Sequence, residues 1–500
     1  MSAPHELTML EQAAAVRRGE ISPVELTTHY LERIERIDPA LGAYLTVTPE
    51  RALAAARDAE RLLLAGGEPP PLLGVPVPVK DLTPVAGVRF TSGSAVFADR
   101  VAQQDAHLVT LLRDAGTVLT GKTNTPEFGL PAYTEGRVGP PARTPYDLTR
   151  GAGGSSGGAA AAVAAGLAAA AHGSDGGGSI RIPASCCGVV GLKPSRGRVS
   201  PAPWGDVSGL AVNGPIARTV RDAAALLDVL SVPAPGDPFP LPVPERTFLR
   251  WCDHEPRRLR IARWARPDVA GVTIHPEVLA AYERTSALLE GLGHEVVDVP
   301  QPLAPGDRDA FTPVWSVLAA LTPVPSDREG ELLPLTRWLR AQGQGVGGLD
   351  YARALGAMQA AGRTLARAVH PYDAVLTPTL AQLPARVGAL RDDADPEADF
   401  AAQLAFTPFT APWNIAGLPA VSLPLQWSAG GLPIGMMLAG RHGAEGPLLA
   451  LAAQLEAVAP CRDHSPPARP CAPGSLGAQT RVSWGAGVGA SGAGHSGQHI

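Results

Sequence analysis

Three places in this 500-residue chain carry side chains that could do chemistry. Gly153-Gly154-Ser155-Ser156-Gly157-Gly158 presents two serines inside a glycine run. Ser174-Asp175-Gly176-Gly177-Gly178-Ser179-Ile180-Arg181 places a serine after three glycines. Consecutive glycines let the backbone aim several N–H groups at one point, which suits an oxyanion hole beside a nucleophile. Such a loop is equally consistent with a tight turn whose serine caps a helix. The third place is Lys80, at the end of the apolar run Leu72–Val79 and followed by Asp81.

Serine hydroxyls attack carbonyl carbon only when a base removes their proton. Two residues are placed for that work. His172 lies seven residues before Ser179. Lys80 is delivered by apolar residues into an interior, where burial disfavours the ammonium form. Lowering a lysine from about 10.4 to about 7 takes roughly 4 kcal/mol, within the reach of full burial. The competing reading is a charged Lys80 paired with Asp81 or another acid.

Two further patterns are misleading. Gly116–Thr123 satisfies the G-x-x-x-x-G-K-[ST] expression, but its central residues are strand-like and Asn124-Thr125-Pro126 follows where a helix should begin. Gly153–Gly157 satisfies G-x-S-x-G, but the polar, turn-like 144–151 precedes it instead of a buried strand. Neither phosphate binding nor an α/β-hydrolase elbow is expected. The twelve histidines show no ligand spacing, and the five cysteines include no C-x-x-C, so no metal is expected.

The elements that must position these residues follow from periodicity. Residues 5–64 are helical, with a capping signal at Ser22-Pro23-Val24-Glu25. Leu72–Val79 and Thr117–Thr120 read as strands, Ala106–Ala115 as a helix, and Ala159–Ala171 as a buried alanine-rich helix joining the two serine clusters. Ala217–Leu230 is amphipathic and helical. The proline-rich 232–244 reads as a linker between two halves. Beyond it, strand 259–264, helix 276–292 and strand 294–299 form a β-α-β unit of a parallel sheet. Short buried strands are expected at 374–377 and 420–425, and a helix at 447–458. Residues 461–500 are Gly, Ser, Pro and Ala without periodicity and read as a disordered tail.

Composition narrows the function class. A net charge of −5 and the absence of any basic run argue against nucleic-acid binding. The N-terminus has no signal-peptide pattern and no apolar run is long enough to span a bilayer, so a reduced cytoplasmic protein is expected. Of 42 basic residues only three are lysine: Lys80, Lys122 and Lys193.

The motifs taken together closely resemble the amidase signature family. Those motifs are Gly74-Val75-Pro76 before Lys80-Asp81, the cluster 153–158, and Asp175–Pro183. Gly121–Phe128, Gly188–Pro194, Gly214–Val220 and Gly417–Ala420 extend the match over roughly 5–459. The resemblance implies a single α/β/α domain, 1–460, with a large mixed sheet flanked by helices. It implies amide hydrolysis without a cofactor, with Ser179 as nucleophile, Ser155 as bridging serine after a cis peptide, and Lys80 as base. The amides of Gly176, Gly177, Gly178 and Ser179 would form the oxyanion hole, with Ser156, Asp175 and Arg181 in support; on this assignment His172 becomes structural. The glycine loops look similar to the branch containing 6-aminohexanoate cyclic-dimer hydrolase. The resemblance implies a small-molecule amide substrate and is compatible with a homodimer. Met437 departs from the glutamine of many members. Other readings of the same resemblance are the A subunit of a glutamine-dependent tRNA amidotransferase and a catalytically silent binding protein. Phe311, Trp315, Phe406 and Trp413 are candidates for the acyl pocket, or for ordinary core.

Overall fold

The computed structural model describes residues 3–304 and 306–459; the expected tail lies outside the described residues. Eleven strands among these residues form one mixed sheet. In chain order they are β1 (Tyr44–Val47), β2 (Val79–Lys80), β3 (Gly121–Thr123), β4 (Ala170–Asp175), β5 (Val190–Lys193) and β6 (Val212–Ala217). The second half of the chain adds β7 (Arg260–Arg263), β8 (Glu295–Asp298), β9 (Ala374–Pro378), β10 (Ala420–Trp427) and β11 (Pro433–Ala439). The spatial order is β1-β3-β2-β4-β6-β5-β10-β11-β9-β7-β8.

The proline-rich segment 232–244 does not divide the molecule as the sequence suggests. β10, from the far side of that segment, pairs directly with β5, with Ala420 opposite Lys193 and Val421 opposite Leu192. Both halves therefore share one sheet. The β-α-β expectation holds: β7 and β8 are parallel and helix Pro276–Gly291 connects them.

Alternation along the strands divides the sheet's faces between layers. On β11, Met436 and Leu438 join Leu226, Leu227, Leu449 and Leu455 from helices Val220–Leu230 and Glu445–Val458. Met437 and Ala439 face the other way, towards Phe311, Leu339 and Trp413. A third apolar cluster holds the short helices Gly157–Ala164 and Arg181–Cys187 through Ala160, Val163, Ile182 and Ala184.

One sequence expectation fails where it matters for the site. The alanine-rich run does not continue as a helix to Ala171. The helix ends at Ala164, and Ala170 and Ala171 begin β4. Alanine suits a helix, but here Ala171 and Ile216 pair across β4 and β6, and sheet pairing overrides local propensity. The consequence is a return path. The chain leaves the first serine cluster on a helix and comes back along a strand to the second.

Candidate active site

Lys80 closes β2, and its side chain is fully buried. Its Nζ donates to Ser155 Oγ at 2.8 Å and to Ser174 Oγ at 3.1 Å, with the Ser174 carbonyl at 3.4 Å. Burial holds the amine down at about 7, against a smaller opposing pull from the charge of Asp175. The expected alternative, a Lys80–Asp81 pair, is not what forms. Asp81 Oδ1 takes Lys122 Nζ at 2.8 Å, while Oδ2 accepts from the amide and hydroxyl of Thr91. The strand register explains the division. Val79 is opposite Lys122 and Lys80 is opposite Thr123, so the two lysines leave the sheet on opposite faces.

Ser155 follows a cis peptide from Gly154 and is 1% exposed. A Cβ on Gly154 would lie 2.6–2.7 Å from the backbone of Tyr133, so only glycine fits there. The second serine cluster packs directly beside the first. Ser156 N–H donates to the Ser179 carbonyl at 3.1 Å, and Ser156 Oγ bridges the Ser174 backbone, donating to its carbonyl at 3.1 Å and accepting from its amide at 3.3 Å. Ser179, at 8%, is more exposed than Ser155. The gradient from buried Lys80 through Ser155 to Ser179 runs from the core towards the pocket mouth.

The loop between Asp175 and Arg181 is built around a fully buried ion pair. Arg181 Nε and Nη2 donate to the two carboxylate oxygens of Asp175, each at 2.9 Å. The carboxylate also accepts from the amides of Gly178 at 2.7 Å and Ile180 at 3.1 Å. Arg181 holds the Asp175 carboxyl far below its usual range, against the cost of burial. Arg181 Nη1 reaches the sulfur of Met437 at 3.4 Å.

This network corrects one assignment. Gly178 does not turn its amide to the pocket, because that N–H is committed to Asp175. Its contribution is conformational: φ is +137°, and a Cβ would stand 2.5 Å from Thr410 Oγ1. Among the described residues the amides of Gly176, Gly177 and Ser179 meet no protein acceptor. They are the donors left for an anion.

His172 lies on β4 with Nε2 3.0 Å from Asn213 Oδ1. Full burial lowers it to about 3, so it is neutral. Its side-chain hydrogen bond is to Asn213 and not to a serine of either cluster. Lys193 is also fully buried and lowered to about 7, mainly by burial, but its Nζ donates to the Pro194 carbonyl at 2.8 Å. No cluster of His, Cys, Asp and Glu among the described residues could hold a metal ion. No helix among them is long and apolar enough to cross a membrane.

The amidase family model matches residues 25–449, a span that contains Lys80, both serine clusters and the Asp175–Arg181 pair. The chain belongs to the amidase family. It is 37% identical to 6-aminohexanoate-cyclic-dimer hydrolase of Paenarthrobacter ureafaciens over 90% of this chain and 94% of that protein. It is 34% identical to an acylamidase of Rhodococcus erythropolis, covering 92% and 97%. The solved structure of 6-aminohexanoate cyclic dimer hydrolase superposes with a TM-score of 0.86 at 35% identity, covering 93% of this chain and 99% of that one.

The amidase pocket opens at Ser179 and Gly177 and is walled by Leu130, Ile182, Phe311, Trp315, Phe400 and Leu404. Phe311 and Trp315 stack with centroids 5.3 Å apart and lie over the glycine loop. Two of the four aromatic candidates thus line the pocket. Phe406 and Trp413 do not; they are 3% and 1% exposed and belong to the core. Ser174 was not expected to touch Lys80. Strand alternation does not account for the contact, because His172 is opposite Val79 and alternation would set Ser174 on the other face from Lys80; the contact forms at the end of β2, where β4 runs on past Lys80.

Proposed function

We propose that this amidase works through a Ser179–Ser155–Lys80 relay with an acyl-enzyme intermediate. The single observation carrying the reading is the 2.8 Å contact from a fully buried Lys80 Nζ to Ser155 Oγ. An amine at about 7 with hydroxyl and carbonyl partners and no carboxylate is a base at neutral pH. Lys80 takes the Ser155 proton as Ser155 takes that of Ser179, and Ser179 Oγ attacks the amide carbonyl carbon. The amides of Gly176, Gly177 and Ser179 stabilise the oxyanion. The same relay returns a proton to the departing amine nitrogen, which is otherwise a poor leaving group. Water then attacks the acyl-enzyme, with the relay as base, and releases the acid.

The leucines and aromatics support a largely apolar acyl group as substrate, since the polar residues of the same wall, Arg308, Gln403 and Thr407, are committed to Asp268, Asp399 and the Gln403 carbonyl. The free thiols of Cys186, Cys187 and Cys252 support a cytoplasmic setting, and the negative net charge supports the absence of a nucleic-acid partner. Assembly as a homodimer rests on family resemblance and is tested by sedimentation. The test of the chemistry is a fluorophosphonate probe with an aryl-amide turnover assay. Labelling of Ser179, lost with all turnover in Ser179→Ala, is expected. Undiminished turnover in that variant overturns the assignment.

A further inference from the structure

The three free amides of the glycine loop must point the same way, although glycine gives the backbone little direction of its own. In a planar trans peptide the C=O and the following N–H point in opposite directions. Whatever pins a carbonyl therefore aims the next amide. Three carbonyls of this loop are pinned. Asp175 O accepts from Asn414 Nδ2 at 2.9 Å, so the Gly176 N–H points the other way. Gly177 O accepts from Thr410 Oγ1 at 2.6 Å, and the same peptide's Gly178 N–H is held by Asp175. Gly178 O accepts from the Ile182 amide at 2.7 Å, which turns the Ser179 N–H away. The last pin is local. The first two come from over 230 residues away, at the start of helix Ala411–Ala416.

Asn414 is suited to this task because its amide has only one workable orientation. Nδ2 faces three acceptors, Asp175 O, Asp175 Oδ1 and Leu210 O, while Oδ1 accepts from Arg181 Nη2 at 2.6 Å. Turning the amide over would set oxygen against oxygen and NH₂ against guanidinium. Both side chains are buried, Thr410 at 0% and Asn414 at 1%, so water does not compete for these carbonyls.

We propose that Thr410 and Asn414 are positioning residues for the oxyanion hole: Asn414 holds the Asp175 carbonyl so that the Gly176 amide stays aimed at the reacting carbonyl oxygen, and Thr410 fixes the Gly177–Gly178 peptide plane that lies between the amides of Gly177 and Ser179. The proposal rests on Ser179 being the nucleophile. Neither side chain touches substrate. Their loss lowers transition-state binding and leaves ground-state binding alone.

The decisive variant is Thr410→Val, which keeps the shape and removes the hydroxyl. Two quantities are measured: the kcat and KM of a neutral aryl amide, and the inhibition constant of a trifluoromethyl ketone. The ketone mimics the tetrahedral state: Ser179 Oγ bonds its carbonyl carbon, the carbonyl electron pair becomes an oxyanion, and the serine proton passes to the relay. In Thr410→Val, kcat and ketone affinity should fall together by about 10- to 100-fold with KM unchanged, since one whole oxyanion donor is worth about 10²–10³. Thr410→Ser, which restores the donor, should recover both to within about threefold. Asn414→Ala should repeat the pattern but also loosens Arg181, so its melting temperature is recorded alongside. A Thr410→Val protein that binds the ketone like the parent, or a Thr410→Ser protein as impaired as Thr410→Val, overturns the proposal. A parent protein whose Ser179 forms no ketone adduct overturns the Ser179 reading and this proposal with it.

Discussion

Lys80 and Lys122 stand on neighbouring parallel strands, one register step apart, both sealed from water. One face of the sheet offers Lys122 a carboxylate, and the other offers Lys80 only hydroxyls and a carbonyl. Burial is the main cause lowering both, with the charge of Arg100 adding to it at Lys122. The Asp81 carboxylate, 2.8 Å from Lys122 Nζ, opposes that fall, whereas Lys80 has no ion-pair partner and feels only the charge of Asp175. The same residue type in the same sheet is thus an ion-pair partner on one face and the proposed base on the other. The partner, not the burial, decides which.

The sharpest way to break this contrast is at Lys80. Lys80→Met should cut kcat/KM by about 10³-fold or more, as expected for loss of a general base. Lys80→Arg should be equally inactive because a guanidinium keeps its proton. Turnover within tenfold of the parent in either variant would remove Lys80 from the relay. At Lys122 the loss should appear in stability. Lys122→Met leaves Asp81 buried without its cation and should lower unfolding stability by about 3–5 kcal/mol, read by chemical denaturation. Lys122→Arg keeps a cation and should retain turnover within about tenfold, the reverse of Lys80→Arg.

The pH dependence sharpens the same comparison. If neutral Lys80 is the base, kcat/KM should drop tenfold per unit as pH falls below about 7. Stability carries a second signature. Lys80 and Lys193 are both lowered from 10.5 to about 7, so between those limits the unfolded chain binds protons the folded chain does not. Stability should therefore rise with pH over that window, by about 1.4 kcal/mol per unit for each full proton difference. Lys193→Met should flatten that slope yet leave the kinetic limb near pH 7 in place; a displaced limb would reassign it to Lys193. The smallest effect is expected at His172. It is already neutral, and His172→Gln should change kcat/KM by less than about threefold without moving the limb.

The site was legible in the sequence to the extent that it is local. Glycine runs around Ser155 and Ser179, and an apolar strand ending at Lys80, are short-range signals, and the Asp175–Arg181 brace spans six residues. The parallel unit 259–299 was legible for the same reason. What escaped was set by tertiary pairing. The run 159–171 carries one local stop signal, Gly166 with φ +66° just past the helix end, but the alanines after it do not say whether they form helix or strand. Ser174 reaches Lys80 only because β2 stops there, which neither periodicity nor alternation announces. Trp413 and Phe406 carry the same aromatic signal as Phe311 and Trp315, and only packing separates core from pocket. The Gly178 amide looked available until Asp175 was seen to claim it.

Gly154 sits with its α-carbon against the Tyr133 backbone, and Gly178 with its own against Thr410. A side chain at Gly154 would strike the Tyr133 main chain, and one at Gly178 would strike the side chains of Thr410 and Ile182, each beside one of the two serines of the proposed relay. For an evolving lineage this half of the pocket is closed to exploration: single substitutions there remove the enzyme before they retune it. New substrates have to be won on the walls lined by Leu130, Phe400 and Leu404, since Phe311 and Trp315 lie over the glycine loop itself. One half of the cavity conserves a reaction, and the other half is free to diversify what is fed into it.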